Sequence, residues 1–348
     1  MKEIKPQFDF DDILIVPKVK THINSRYQGI TLPPRLPLFT APMDTVVDKT
    51  NYQTFLQAGI GVTLPRTIKY EDVENIDVGV FISMGFQDLD RELKTSLRNI
   101  RRDEHILIDV ANGHMQKVFD YCREIKRLRP DIVLMVGNIG NPESYTWYAQ
   151  GKCIDYIRVG IGNGGGCLTT KQSGIGYPMA SLISATYEAK QKFVADNPDI
   201  PAPAIVADGG MKDYSDIVKS LALGADYVMI GSIFNKCLES CAHNYLYKIR
   251  INKKLAAYFF SKGYPVKKYF RGMSTKGAQK AMGKSSFKTS EGVVRYRRVE
   301  YRLTGWIENF NHYLRNAMSY CDAKTLDRFI GKTDAIQITT KAYDRFNK

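Results

Sequence analysis

The chain has 348 residues, enough at roughly 150 per domain for one large or two ordinary domains with a sizeable core. Of its 50 lysines and arginines 23 lie from Cys241 onward, with only 7 of the 36 acidic residues, so this last third carries +16 and the first 240 residues −2. A hydrophobic fraction of 44% with 11% aromatics excludes a disordered chain, and no apolar run approaches the ~20 residues that span a bilayer. The opening MKEIKPQFDF lacks the apolar stretch of a secretory signal, so the expectation is a cytoplasmic protein whose six cysteines are reduced thiols. No two of them form a CxxC pair, and the five histidines are scattered, so no metal cluster is indicated.

In chain order, short apolar runs fall at 38–40, 60–63, 78–83, 105–110, 132–136, 156–160, 204–207 and 227–230, each ending near Gly, Asn, Asp or Ser. Helical periodicity lies between them, clearest at 116–128 and at 213–223, the latter stopping at Gly224. Eight almost continuously apolar strands alternating with helices predict an α/β fold, a (β/α)8 TIM barrel, because its parallel strands are buried on both faces. A doubly wound sheet is the runner-up, but it would show a Gly-rich turn after its first strand. Residues 250–305 hold much of the basic excess with scattered Gly and Ser, and read as a long irregular flap insertion near the C-terminus. Helical periodicity returns at 307–320 and 323–330. The whole of 1–348 is expected to be one catalytic barrel domain.

A barrel collects its chemistry at the C-terminal ends of its strands. There the segment GIGNGGGCLTTKQSGIGYP at 160–178 stands out, with seven glycines in nineteen residues. Glycine packs nothing and loses the most backbone entropy on folding, so this loop serves backbone approach to an anion or a change of conformation. Cys167 sits in it before Thr169, Thr170 and Lys171, a polar, partly cationic setting that suits a nucleophilic thiolate. The bland alternative, a small buried hydrophobe, fits Cys122, Cys153, Cys237, Cys241 and Cys321 better than it fits Cys167.

From this loop outward the sequence resembles the IMP dehydrogenase/GMP reductase family. The shared features are DFDDILIVP at 9–17, APMDTV at 41–46, IDVANGH at 108–114, VGN at 136–138, GIGxGxxCxTT at 160–170 and GIGYP at 174–178. They continue as ADGG at 207–210, GADYVMIGS at 224–232, RGMS at 271–274 and SEG at 290–292. The resemblance implies a (β/α)8 barrel in which Cys167 attacks C2 of a purine nucleotide, and a covalent intermediate exchanges hydride with a nicotinamide cofactor. Only residues 64–77 separate the second and third strand runs, leaving no room for the regulatory module of ~100 residues that dehydrogenases of the family carry there. The flap stretch AMGKSSFKTSEG at 281–292 lacks the Arg-Tyr pair of dehydrogenases and is similar to the reductase pattern FKTSEG. The implied reaction is GMP with NADPH to IMP, ammonia and NADP⁺.

Carried over position by position, the resemblance implies Thr169 and Glu291 as the proton relay beside Cys167. Thr169 could instead bond its own loop backbone, and Glu291 could be a solvated surface acid. The nucleotide phosphate is expected on the amides of Gly209, Gly210, Gly231 and Ser232, with Asp208 on the ribose hydroxyls or, alternatively, serving as a helix cap. Met273, Ser274, Lys288 and Gly292 are implied as further substrate contacts. Asp109, Asn112, Asn138 and Thr170 are placed toward NADPH, and a monovalent cation such as K⁺ would sit near Gly162, Gly164 and Cys167. A homotetramer is also implied. The chain departs from the family pattern at Gly165, where the family has a phosphate-binding Ser, at Lys171 and Lys288 for Arg, at Met179 for Gln, and at 59–66, GIGVTLPR, where the family's His is missing. These departures keep a deoxy or modified guanine nucleotide open as substrate. Two other readings remain beside the reductase: an IMP dehydrogenase without its module, and a nucleic-acid-binding protein built on the basic, aromatic run RYRRVEYR at 295–302.

Overall fold

The computed structural model describes residues 5–73, 76–283 and 292–346. Eight parallel strands form one sheet: β1 (Leu38–Thr40), β2 (Thr63–Leu64), β3 (Phe81–Met84), β4 (His105–Asp109), β5 (Val133–Ile139), β6 (Tyr156–Val159), β7 (Ala204–Asp208) and β8 (Tyr227–Ile230). Each neighbours the next in chain order, and β8 returns to β1 through Leu38 opposite Val228. Gly61 closes the ring beside Phe39, with Thr40 N donating to Gly61 O and Gly61 N to Leu38 O, each at 2.9 Å. This is the predicted (β/α)8 barrel.

The interior is layered by the two-residue period of the strands. Phe39, Phe81, Leu107, Met135, Val206 and Met229 point inward and pack as one cluster, with Tyr156 and Tyr227 against it. Rings meet edge to face, Phe39 on Phe81 at 5.7 Å and Phe81 on Tyr156 at 5.4 Å. Two residues further along the strands, the inward positions become Asp109, Gly137, Arg158, Asp208 and Gly231. The barrel is therefore apolar below and polar or open at its C-terminal mouth. Outside, the helix predicted over 116–128 forms as Gln116–Leu128, burying Val118, Tyr121, Cys122 and Ile125 on one face. Helix Tyr214–Ala222 begins where the Asp213 carboxylate accepts the Ser215 and Asp216 amides at 2.8 and 3.2 Å.

The expectation of an irregular stretch over 250–305 is overturned. Strands β9 (Asn244–Leu246), β10 (Ile249–Ile251), β11 (Val266–Arg271) and β12 (Val294–Arg298) form an antiparallel sheet in the order β10-β9-β11-β12. It covers a small core of Ala256, Val266 and Val299 with Leu238, Phe259 and Phe260. The strand period was hidden because one inward position of β11 is Lys268, fully buried, whose Nζ donates to Leu238 O at 3.0 Å and Ser240 O at 2.7 Å. Burial pushes the Lys268 pKa down to about 8, against the opposing influence of Cys237 and Cys241. A second correction concerns 323–330, where only a short 3-10 turn, Leu326–Arg328, forms; beyond it Ala335–Gln337 pairs with Ile13–Ile15. Among the described residues no helix is long and apolar enough to cross a membrane.

Candidate active site

A cavity of about 740 Å³ opens at the C-terminal mouth of the barrel, with Cys167 on its wall. Its cysteine loop follows β6 and is folded by close backbone approaches. Gly162 has φ +81°, and a Cβ there would lie 1.8 Å from Thr170 Oγ1; a Cβ on Gly209 would lie 2.9 Å from Gly164 N. Cys167 N donates to Gly164 O at 2.9 Å, while Val293 N donates to Gly166 O at 3.1 Å and Gly272 N to Val293 O at 3.0 Å. Cys167 also bridges to Gly292. The loop is thus held between the RGMS segment and the chain that enters β12.

Cys167 Sγ lies 3.2 Å from Thr169 Oγ1, an arrangement in which a hydroxyl can pass a proton at the sulfur or beside it. All six cysteines are free thiols. Burial pushes the thiols of Cys122, Cys153, Cys241 and Cys321 up, and that of Cys237 up to about 12, so they stay protonated and inert. Cys167 alone of the six faces the cavity.

The floor is an ion network that no single strand could supply. Arg158, on β6 and only 5% exposed, donates from Nη1 to Asp109 Oδ1 at 2.8 Å and from Nη2 to Asp208 Oδ2 at 2.7 Å. Arg66 Nε stands 3.2 Å from Asp109 Oδ2. Asn138 Nδ2 donates to Asp208 Oδ2 at 2.8 Å and to Gly160 O at 2.7 Å. Burial works against the Asp109 charge, but the Arg66 and Arg158 guanidiniums outweigh it and hold its pKa below the usual carboxylate range. Burial likewise opposes the Arg158 charge, and Asp208 and Asp109 outweigh it. Asp44 ties the flap base to the barrel by accepting Arg271 Nε at 3.2 Å and pairing with its Nη2.

Of the residues expected at the site, Cys167, Thr169, Asp208, Gly209, Met273, Ser274, Asp109, Asn138, Gly162 and Gly164 line the one cavity. Gly292 reaches it through its bridge to Cys167, and Gly231 lies beside the lining residue Met43, whose Sδ would be 2.8 Å from a Cβ there. Gly210 and Ser232 are not on its wall. Thr170 is exposed and off the cavity wall, with Oγ1 near Gly162 and Gly176 and 3.4 Å from Ile161 O. Asn112 accepts the His114 amide at 3.0 Å in a local turn and does not reach the cavity. At the loop positions expected near a monovalent cation, the Gly164 carbonyl already accepts the Cys167 amide. Lys288 and Glu291 lie outside the described residues. Sequence reasoning missed Arg66, Arg158 and Gln279, which also line the cavity. The signal for Arg158 was a charged residue inside an otherwise apolar buried strand, since an arginine is tolerated there only when paired.

Fold and site together define a (β/α)8-barrel protein with a half-buried thiol facing the cavity from a glycine-rich loop, above a fixed cationic and carboxylate floor. The chain belongs to the IMP dehydrogenase/GMP reductase family: the family's "IMP dehydrogenase / GMP reductase domain" matches residues 7–345. Among similar proteins, one from Streptococcus agalactiae serotype V is 30% identical over 334 residues, covering 92% of each chain. Another, from Streptococcus pyogenes serotype M4, is 30% identical over 336 residues with the same coverage of both. Both carry the name GMP reductase.

Proposed function

We propose that this protein is a GMP reductase, converting GMP and NADPH into IMP, ammonia and NADP⁺. The observation that carries the reading is the Cys167 thiol on the cavity wall, 3.2 Å from the Thr169 hydroxyl and bridged to Gly292, the residue after Glu291. The flap sequence FKTSEG, with no Arg-Tyr pair before it, favours reduction over hydrolysis of the intermediate, and the relatives named GMP reductase lend the same support.

In this mechanism the Cys167 thiolate adds to C2 of the guanine, forming the S–C2 bond. The C2–N2 bond breaks and the amino group leaves as ammonia, taking a proton from the relay of Thr169 and Glu291. Splitting the substitution through a covalent thioimidate replaces one hard step by two easier ones. NADPH, when bound, supplies the hydride that reduces C2, after which the C2–S bond breaks and returns the thiolate. Asp208, fixed by Arg158 and Asn138, presents its remaining oxygen to the ribose hydroxyls. Gly209, Gly210, Gly231 and Ser232 offer backbone amides to the phosphate. Arg66, Gln87 and Asn138 line the cavity on the side of β2 to β5, across the mouth from the phosphate side at β7 and β8, and these guanidinium and amide groups suit the polar end of a nicotinamide, while the Asp109 carboxylate beside them accepts from Arg158 and faces Arg66. The reading carries with it a cytoplasmic homotetramer, for which molar mass by light scattering is the check.

The reading is tested by assaying GMP with NADPH and IMP with NAD⁺ separately, following absorbance at the nicotinamide band, with dGMP as a third substrate. Oxidation of NADPH dependent on GMP is expected. NAD⁺ reduction with IMP instead would make the protein a dehydrogenase, and a preference for dGMP would move the substrate to the deoxy series.

A further inference from the structure

The first four residues of the basic, aromatic run RYRRVEYR at 295–302 lie in β12, and one of its arginines does not face solvent as the others do. Arg297 is half-buried, while Arg295 and Arg298 on either side are exposed. In the ladder it stands opposite Lys268, so its side chain shares the inner face of the sheet with Phe270. There its guanidinium carbon lies 4.1 Å from the centroid of the Phe270 ring, a fully buried platform that fixes the plane of the fork. Nη1 is 3.5 Å from Ser232 O, and Nη2 is 3.4 Å from the point where a Cβ on Gly165 would be.

These two contacts join positions that matter separately. Gly165 is where the family carries a phosphate-binding serine, and Ser232 is an expected phosphate contact. A Cβ on Gly209 would lie 2.9 Å from Gly164 N, which brings the β7 glycines against the same loop. Gly165 is exposed, and among the described residues Arg297 Nη2 is the one atom near the place where a serine side chain would start. Among the described residues no carboxylate lies within ion-pair distance of this guanidinium. Burial, reinforced by Arg295 and only partly opposed by Glu300 and Tyr301, pushes its pKa below that of an ordinary arginine. A partly desolvated cation with no carboxylate of the described residues at ion-pair distance gains from an anion that completes it.

We propose that Arg297 is the phosphate anchor of the nucleotide site, reaching from β12 to replace the missing serine hydroxyl with a charge-assisted pair to the 5′-monophosphate. A guanidinium grips a phosphate through two N–H groups, so this exchange of a neutral donor for a planar cation strengthens selection for a 5′-phosphate over a bare nucleoside. The inference rests on the nucleotide reading of the cavity but not on the reaction performed there.

The test is calorimetric titration of the full chain, wild type, Arg297→Met and Arg297→Lys, with GMP and with guanosine, and with inorganic phosphate as competitor. Wild type is expected to prefer GMP to guanosine and to be competed by phosphate. Arg297→Met should weaken GMP binding about 10- to 100-fold, as loss of a hydrogen bond to a charged group does, with guanosine affinity unchanged. Arg297→Lys, which preserves the charge and guards against a folding defect in the first variant, should fall between. Gly165→Ser in the Arg297→Met background should recover part of the loss. Unchanged GMP affinity in Arg297→Met overturns the inference whatever the turnover, as does an equal loss for guanosine. Wild type that binds GMP through Arg297 but does not oxidise NADPH supports the inference and sinks the reductase reading instead. Wild type with no preference for the phosphate overturns both.

Discussion

Arg158 Nη2 donates to Asp208 Oδ2 at 2.7 Å inside the barrel mouth, and the same guanidinium holds Asp109 at 2.8 Å. One guanidinium thus bridges two carboxylates that arrive on different strands, β4 and β7, and Arg66 beside Asp109 supplies the second positive charge. Replacing Arg158 by Leu would leave two acids buried with only Arg66 and Asn138 to answer them. Stability should fall by about 3–5 kcal/mol, the usual cost of breaking a buried pair by removing one partner. Urea unfolding measures it. Arg158→Lys should also lose stability, because one ammonium cannot reproduce the fork that spans both acids. A loss below ~1 kcal/mol for Arg158→Leu would show that the network carries no such weight.

For the reaction proposed here, Cys167→Ser should lower turnover of GMP by about a thousandfold or more, because a hydroxyl in the same place is not a thiolate nucleophile. GMP affinity should stay within a few-fold of wild type, since the phosphate and ribose contacts lie elsewhere. Single-turnover kinetics and calorimetry on the same preparation separate the two effects. Substantial remaining activity would remove Cys167 from the mechanism.

Thr169 differs from Cys167 in what its loss should change. Its hydroxyl touches the sulfur at 3.2 Å, and a proton relay is worth ~10²–10⁴ in rate. Thr169→Val keeps the shape and removes the hydroxyl, so kcat should drop on that scale while KM for GMP holds; Thr169→Ser should restore most of the rate. If KM rises and kcat holds, the hydroxyl serves binding and not proton transfer.

How much of this could be read beforehand depended on whether local pattern and tertiary role agreed. The eight strands were legible because parallel barrel strands are apolar on both faces, and Cys167, Asp109 and Asp208 were legible because each stands at or beyond the end of such a strand. Arg158 was not, since its inward position appears only when β6 is threaded between β5 and β7. The second sheet escaped because Lys268 occupies a buried strand position and Arg297 another inward one, so its alternation reads as charge. Arg297 itself was visible only as part of a basic run; its neighbours Gly165 and Ser232 come from segments more than sixty residues away in sequence. Asn112 and Thr170 match the family motif, and in the structure their side-chain oxygens meet local backbone, the His114 amide and the Ile161 carbonyl.

Asp216 supplies a pH dependence independent of the active site. It lies in helix Tyr214–Ala222, is 3% exposed and accepts the Lys212 amide at 2.8 Å. Burial, above all, raises its pKa from 3.8 to about 6; Asp213 and Asp11 add to this, and the Lys212 amide and Lys219 oppose it. A raised folded-state pKa means that the folded protein binds this proton more tightly than the unfolded chain. The contribution to stability is therefore fully present below pH ~3.8 and is lost as pH rises through about 6. Asp216→Asn cannot ionise, yet its side-chain oxygen can still accept the Lys212 amide. The variant should match wild type near pH 4 and exceed it at pH 7 by about 1–3 kcal/mol, the shift converted at 1.36 kcal/mol per unit. Urea unfolding at pH 4, 5, 6 and 7 gives the two curves; if they run parallel across that interval, Asp216 is ionised in the fold like any surface carboxylate and its burial has been compensated.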